Sequence, residues 1–134
     1  MGIEMGEDEE LKKIVEKKIK ELTRKNKEAS VEVELDRDEF REALSKNRLV
    51  VVDFWAQWCG PCQIYSRIFK SAAEKLVGKA LFGRVNVDRN PELAEEYRIY
   101  AVPTTLIFLN GRKVEEIVGV VTEEELISIV EKYL

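Results

Sequence analysis

Cys59 and Cys62, in the stretch Trp58-Cys59-Gly60-Pro61-Cys62, are the only two cysteines of this chain. Residues three apart on a helical turn place their Cα atoms about 5–6 Å apart, a span that a disulfide can bridge. A ring this small constrains the unfolded chain far less than a long-range bridge. The pair therefore reads as a reversible redox couple rather than a structural staple. Cys59 falls at the start of a helix, where unpaired amides and the helix dipole stabilise an anion, so its thiol is the attacking one. Cys62 lies one turn further in and suits a resolving thiol. Pro61 fits the first helical turn, and Gly60 lets a substrate backbone approach closely. A metal half-site and a solitary buried pair are the other readings of two such cysteines. The chain contains no histidine. It therefore has no Cys-His dyad and no histidine base, and two cysteines cannot complete a four-ligand zinc site within one chain. No metal and no cofactor are expected.

The elements around the pair alternate between strand and helix. Val31 to Leu35 reads as a short strand, and Asp36 with Glu39 reads as a capping box for a helix to about Lys46. Leu49 to Ala56 is apolar on both faces, as a central parallel strand should be. A helix is expected from about Cys59 to Val77, ended by Gly78. Ala80 to Val87 is a further strand, and Asn90-Pro91 is expected to cap a short helix ending near Tyr97. Thr104 to Leu109 and Lys113 to Val118 are strands joined by Asn110-Gly111, a hairpin signal. Thr122 and Glu125 cap a last helix. Before all of this, residues 8–27 carry Leu11, Ile14, Val15, Ile19 and Leu22 at helical spacing, which predicts an additional N-terminal helix. Residues 1–30 are thus expected to form a charged helical extension and residues 31–134 the domain proper.

Composition narrows the functional classes. The 134 residues hold 22 basic and 26 acidic side chains, a formal net charge of -4. Residues 1–30 are balanced in charge, so the acidic excess falls in the domain, against a nucleic-acid footprint. No window approaches the roughly 20 apolar residues of a membrane span, and the N-terminus lacks a signal-peptide layout. A cytoplasmic protein is expected, with no nucleic-acid or membrane partner.

The motifs carry a resemblance. Val52-Asp53-Phe54-Trp55-Ala56-Gln57-Trp58-Cys59-Gly60-Pro61-Cys62 resembles the signature of the thioredoxin family. Val85-Asn86-Val87-Asp88, Val102-Pro103-Thr104, Asn110-Gly111 and Val118-Gly119 follow in matching order and spacing. The resemblance covers about residues 31–134. It implies an α/β thioredoxin fold, with a five-stranded mixed sheet flanked by helices, and a dithiol–disulfide exchange activity. A lone carboxylate in an apolar strand is costly without a role or partner. The resemblance makes Asp53 the buried acceptor of the Cys62 proton. It also implies a cis bond before Pro103, whose ring would shield the sulfurs and leave Val102 backbone groups free for an extended peptide. Trp58, Gly60, Pro61, Val102 and Gly119 would form a flat apolar contact surface. Disulfide-containing proteins are the implied substrates, and a separate thioredoxin reductase the implied electron donor. A disulfide oxidase or isomerase, and a non-catalytic binding module on the same fold, are the alternatives.

Three positions depart from the common family pattern. Arg84 stands where a lysine often neighbours the buried aspartate. It either modulates Asp53, holding it ionised over a wider pH range, or is a solvated strand-end charge. Gln63 replaces a frequent lysine. Arg67 occupies the place of a helix-kinking proline, so the helix is either straighter or bent by packing alone.

Overall fold

A computed structural model describes residues 31–134. The N-terminal helix expected over residues 8–27 lies outside the described residues. Five strands, β1 (Glu32–Glu34), β2 (Leu49–Trp55), β3 (Leu81–Asn86), β4 (Thr104–Leu109) and β5 (Arg112–Val118), form one sheet in the order β1-β3-β2-β4-β5. The β1–β3 and β2–β3 pairs are parallel, and the β2–β4 and β4–β5 pairs antiparallel. The helices are α1 (Arg37–Lys46), α2 (Gly60–Lys75), α3 (Pro91–Glu96) and α4 (Glu123–Glu131).

The alternation of β2 divides the core. Leu49 and Val51 pack with Phe82 and Ile107 against Tyr65 and Phe69 of α2 and Leu126 and Val130 of α4. Val50, Val52 and Phe54 pack with Val85, Leu106 and Phe108 against Phe40 of α1 and Leu93 of α3. Asp53 therefore points to the face that α2 covers. Phe40 is the hub of the opposite layer, with ring centroids 6.4 Å from Phe54, 5.5 Å from Tyr97 and 5.6 Å from Phe108. Burying one such ring stabilises the fold by about 1.5–3 kcal/mol, with edge-to-face contacts adding to that.

Local signals explain the ends of the elements. Asp36 accepts the Glu39 amide at 2.9 Å and Thr122 the Glu125 amide at 3.1 Å, each satisfying a free donor of a first helical turn. Asn110 and Gly111 both adopt positive φ, which a tight Asn-Gly hairpin requires. Asn90 occupies an N-cap position, yet its side chain makes no capping bond; it donates instead to the Asn86 carbonyl. Helix α2 starts one residue after Cys59 and ends at Lys75, with Gly78 at φ 81° beyond it. It runs through Arg67 without a break.

Candidate active site

The dithiol sits where β2 hands over to α2. The tight turn after Trp55 makes Cys59 the N-cap of α2, extended at φ -89° and ψ 110°. In that position its sulfur replaces the oxygen of an ordinary cap, and the Cys62 amide donates to Cys59 Sγ at 3.1 Å. The two residues form a disulfide with Cα atoms 5.2 Å apart. Cys62 is fully buried, whereas Cys59 keeps a small exposed edge. Gly60 and Pro61, the first two residues of the helix, are exposed beside it.

The loop before β4 closes the other side. The Val102–Pro103 bond is cis, and Pro103 is buried. The Val102 carbonyl oxygen lies 3.5 Å from Cys59 Sγ. The disulfide sulfur has no proton to donate, so this contact leaves the Val102 carbonyl able to accept from another group. Gly119 adopts φ 89°, and its amide donates to the Pro103 carbonyl at 2.8 Å, which draws the end of β5 into the same rim. Trp58 stands out from this surface at 72 % exposure. It is oriented all the same, since its indole N–H donates to Asp88 Oδ2 at 2.8 Å. Asp88 belongs to a turn folded around the side chain of Asn86, which accepts the amides of Asp88 and Arg89.

Asp53 is fully buried. Burial pushes its carboxyl up to about 7, against the downward pull of the Arg84 charge and hydrogen bond, while Glu34 and Glu32 push it further up. Arg84 Nε donates to Asp53 Oδ2 at 3.3 Å. Asp53 Oδ1 is buried with no hydrogen-bond partner among the described residues. Arg84 is thus no free strand-end charge. Its guanidinium carbon also sits 4.3 Å from the centroid of the Trp55 ring, in the range of a cation–π contact.

The sequence motifs named most of these residues but gave Asp88, Asn86 and Glu34 no part. The contacts of Asp88 with Trp58 and of Glu34 with Trp55 cross between segments distant in the chain, so no local pattern announces them, whereas Asn86 shapes a local turn. Tyr65 and Thr105 form another buried pair, hydroxyl to hydroxyl at 2.7 Å, which ties α2 to β4 directly beside Asp53. Among the described residues no group of three or more potential ligands could hold a metal ion, and no helix is long and apolar enough to cross a membrane.

A disulfide whose outer sulfur caps a helix and is rimmed by a cis-proline loop defines a protein built for thiol–disulfide exchange. Comparison with known proteins agrees. The thioredoxin family model matches residues 31–132. A thioredoxin of Griffithsia pacifica is 37% identical over 105 residues, covering 78% of this chain and 96% of that protein. Thioredoxin 1 of a Nostoc species is 40% identical over 94 residues, covering 70% and 88%. The solved structure of a mutant thioredoxin from Halobacterium salinarum superposes with a TM-score of 0.72 at 35% identity, covering 77% of this chain and 91% of that one. The chain belongs to the thioredoxin family, and it is a protein-disulfide oxidoreductase that works as a dithiol–disulfide redox carrier.

Proposed function

We propose that the protein is a disulfide reductase in which Cys59 attacks, Cys62 resolves and Asp53 accepts a proton. The observation that carries this reading is the position of Cys59 as the cap of α2. A thiolate there receives the Cys62 amide and the positive end of the helix dipole, which lowers the cost of its charge. The Cys59 thiolate attacks a target disulfide; one Cys59–target S–S bond forms and the first target sulfur leaves as a thiolate. Asp53 takes the Cys62 proton. The Cys62 thiolate then attacks Cys59 Sγ, the internal disulfide forms, and the second target sulfur leaves. Two electrons pass to the target.

Trp58, Gly60, Pro61, Val102 and Gly119, with Pro103 buried behind Val102, suit an extended substrate segment laid along the rim. The substrates are disulfide-containing proteins. The oxidised pair regains its electrons from a separate thioredoxin reductase, and the protein works in the cytoplasm, where thiols are kept reduced. One relative is a chloroplastic protein: thioredoxin M5 of rice, 41% identical over 85 residues.

The deciding assay is reduction of a protein disulfide with a dithiol donor, by wild type, Cys59→Ser and Cys62→Ser. Wild type turns over, Cys59→Ser falls to the uncatalysed rate, and Cys62→Ser accumulates a mixed disulfide with the target. Equal rates for wild type and Cys59→Ser would reject the assignment. A redox titration of the pair distinguishes a reductase from an oxidase.

A further inference from the structure

Glu34 stands on the edge strand β1, two strands away from Asp53. The parallel register sets Glu34 opposite Arg84, and Arg84 opposite Asp53. Three contacts join them. The Trp55 indole N–H donates to both Glu34 oxygens, at 3.0 and 3.1 Å. The Arg84 guanidinium lies against the face of that indole. Arg84 Nε reaches Asp53 at 3.3 Å, long for an N–H···O bond, so a small rotation of the platform would release it. A stacked guanidinium is held only as firmly as the ring beneath it, and among the described residues Glu34 is the one hydrogen-bond partner of this indole.

We propose that Glu34 is a positioning residue for the resolving step: by holding the Trp55 indole it keeps Arg84 seated on Asp53, and so governs when that carboxylate can take a proton. This rests on Asp53 being the acceptor for Cys62. The charged groups acting on Asp53 are Arg84 from β3 and Glu34 and Glu32 from β1. Tyr65 faces it from α2, its hydroxyl paired with Thr105 of β4, and Arg89 acts on Glu34. Glu34 itself is raised by partial burial, while the indole N–H, Arg84 and Arg89 pull it down.

Glu34 acts on Asp53 in two opposed ways. Its charge disfavours a second anion nearby, and its grip on Trp55 keeps in place the cation that favours one. Two substitutions separate these effects. Glu34→Gln keeps an acceptor for the indole and removes the charge; Glu34→Ala removes both. The test follows the Asp53 carboxyl carbon by NMR through a pH titration of the oxidised full chain. In Glu34→Gln the midpoint falls below wild type. In Glu34→Ala it lies above the Gln variant by roughly half a pH unit, about a threefold change in proton affinity. In a Trp55→Phe background, which keeps a ring face for Arg84 but has no N–H to hold, that gap closes. Equal midpoints for the two Glu34 variants, or a gap that survives Trp55→Phe, overturns the proposal. The acceptor role is checked apart from this, by the pH profile of mixed-disulfide resolution. A profile unchanged in Asp53→Asn removes that role, and the NMR comparison still decides whether Glu34 positions Arg84.

Discussion

Asp53 is the residue on which the fold spends stability for the sake of chemistry. An ordinary aspartate is ionised well below neutrality, whereas this one is held up to about 7 by burial. The folded state therefore binds a proton that the unfolded state has already released. The sign follows: stability is fullest in acid, below the unfolded value, and is lost as pH rises through about 7. The gap corresponds to on the order of 4 kcal/mol at most. Asp53→Asn removes it, so urea denaturation shows the variant gaining on wild type between about pH 4 and pH 7, with little difference at the acid end and a constant gap above. A parallel fall in both proteins would mean that some other group titrates. Glu34, also raised, acts in the same direction but more weakly because it lies on an open edge. Gly119 tests the rim. A Cβ added there meets no atom within 4 Å, yet its φ of 89° suits glycine alone. Gly119→Ala is expected to cost about 1 kcal/mol in stability through backbone strain, with no steric clash, as read by thermal denaturation.

At the scale of elements, β3 runs close against the residue that follows β1. Gly83 lies in the middle of β3, and a Cβ built on it runs into the buried side chain of Leu35, whose Cγ would be 3.2 Å away. Gly83→Ala is expected to destabilise by about 1–3 kcal/mol, measured as a lower urea midpoint at unchanged slope. Phe40→Ala, which empties the hub of the α1 layer, costs about 3–5 kcal/mol in the same experiment. Most elements were legible in the sequence because their signals are local: the apolar run of β2, the caps Asp36 and Thr122, and the Asn110-Gly111 turn. Cys59 and Cys62 were legible for the same reason. The extra helical residue assigned at Cys59 reflects a cap that shares the sequence neighbourhood of a helix without its backbone angles. The tie from Glu34 through Trp55 and Arg84 to Asp53 was not legible. It depends on β3 being inserted between β1 and β2, and strand order is a property of the assembled sheet.

For the whole molecule, the disulfide is a small part of what holds the fold. Its ring closes over a sequence separation of 3, so chain-entropy reasoning gives about 2 kcal/mol or less. Reduction should therefore shift the denaturation midpoint modestly and leave a cooperative transition, as befits a protein that spends its working cycle in both states. Loss of the cooperative transition on reduction would show that the bridge is a structural staple after all. The chain has only two tryptophans, Trp55 and Trp58. One packs against the cluster holding both sulfurs, and the other precedes Cys59 directly. All the indole light that this molecule emits thus originates at the dithiol. Emission is therefore expected to change as the bridge opens and closes, which a fluorimeter would read as turnover without any dye; equal emission from the oxidised and reduced protein would show the indoles to be insensitive to the bridge.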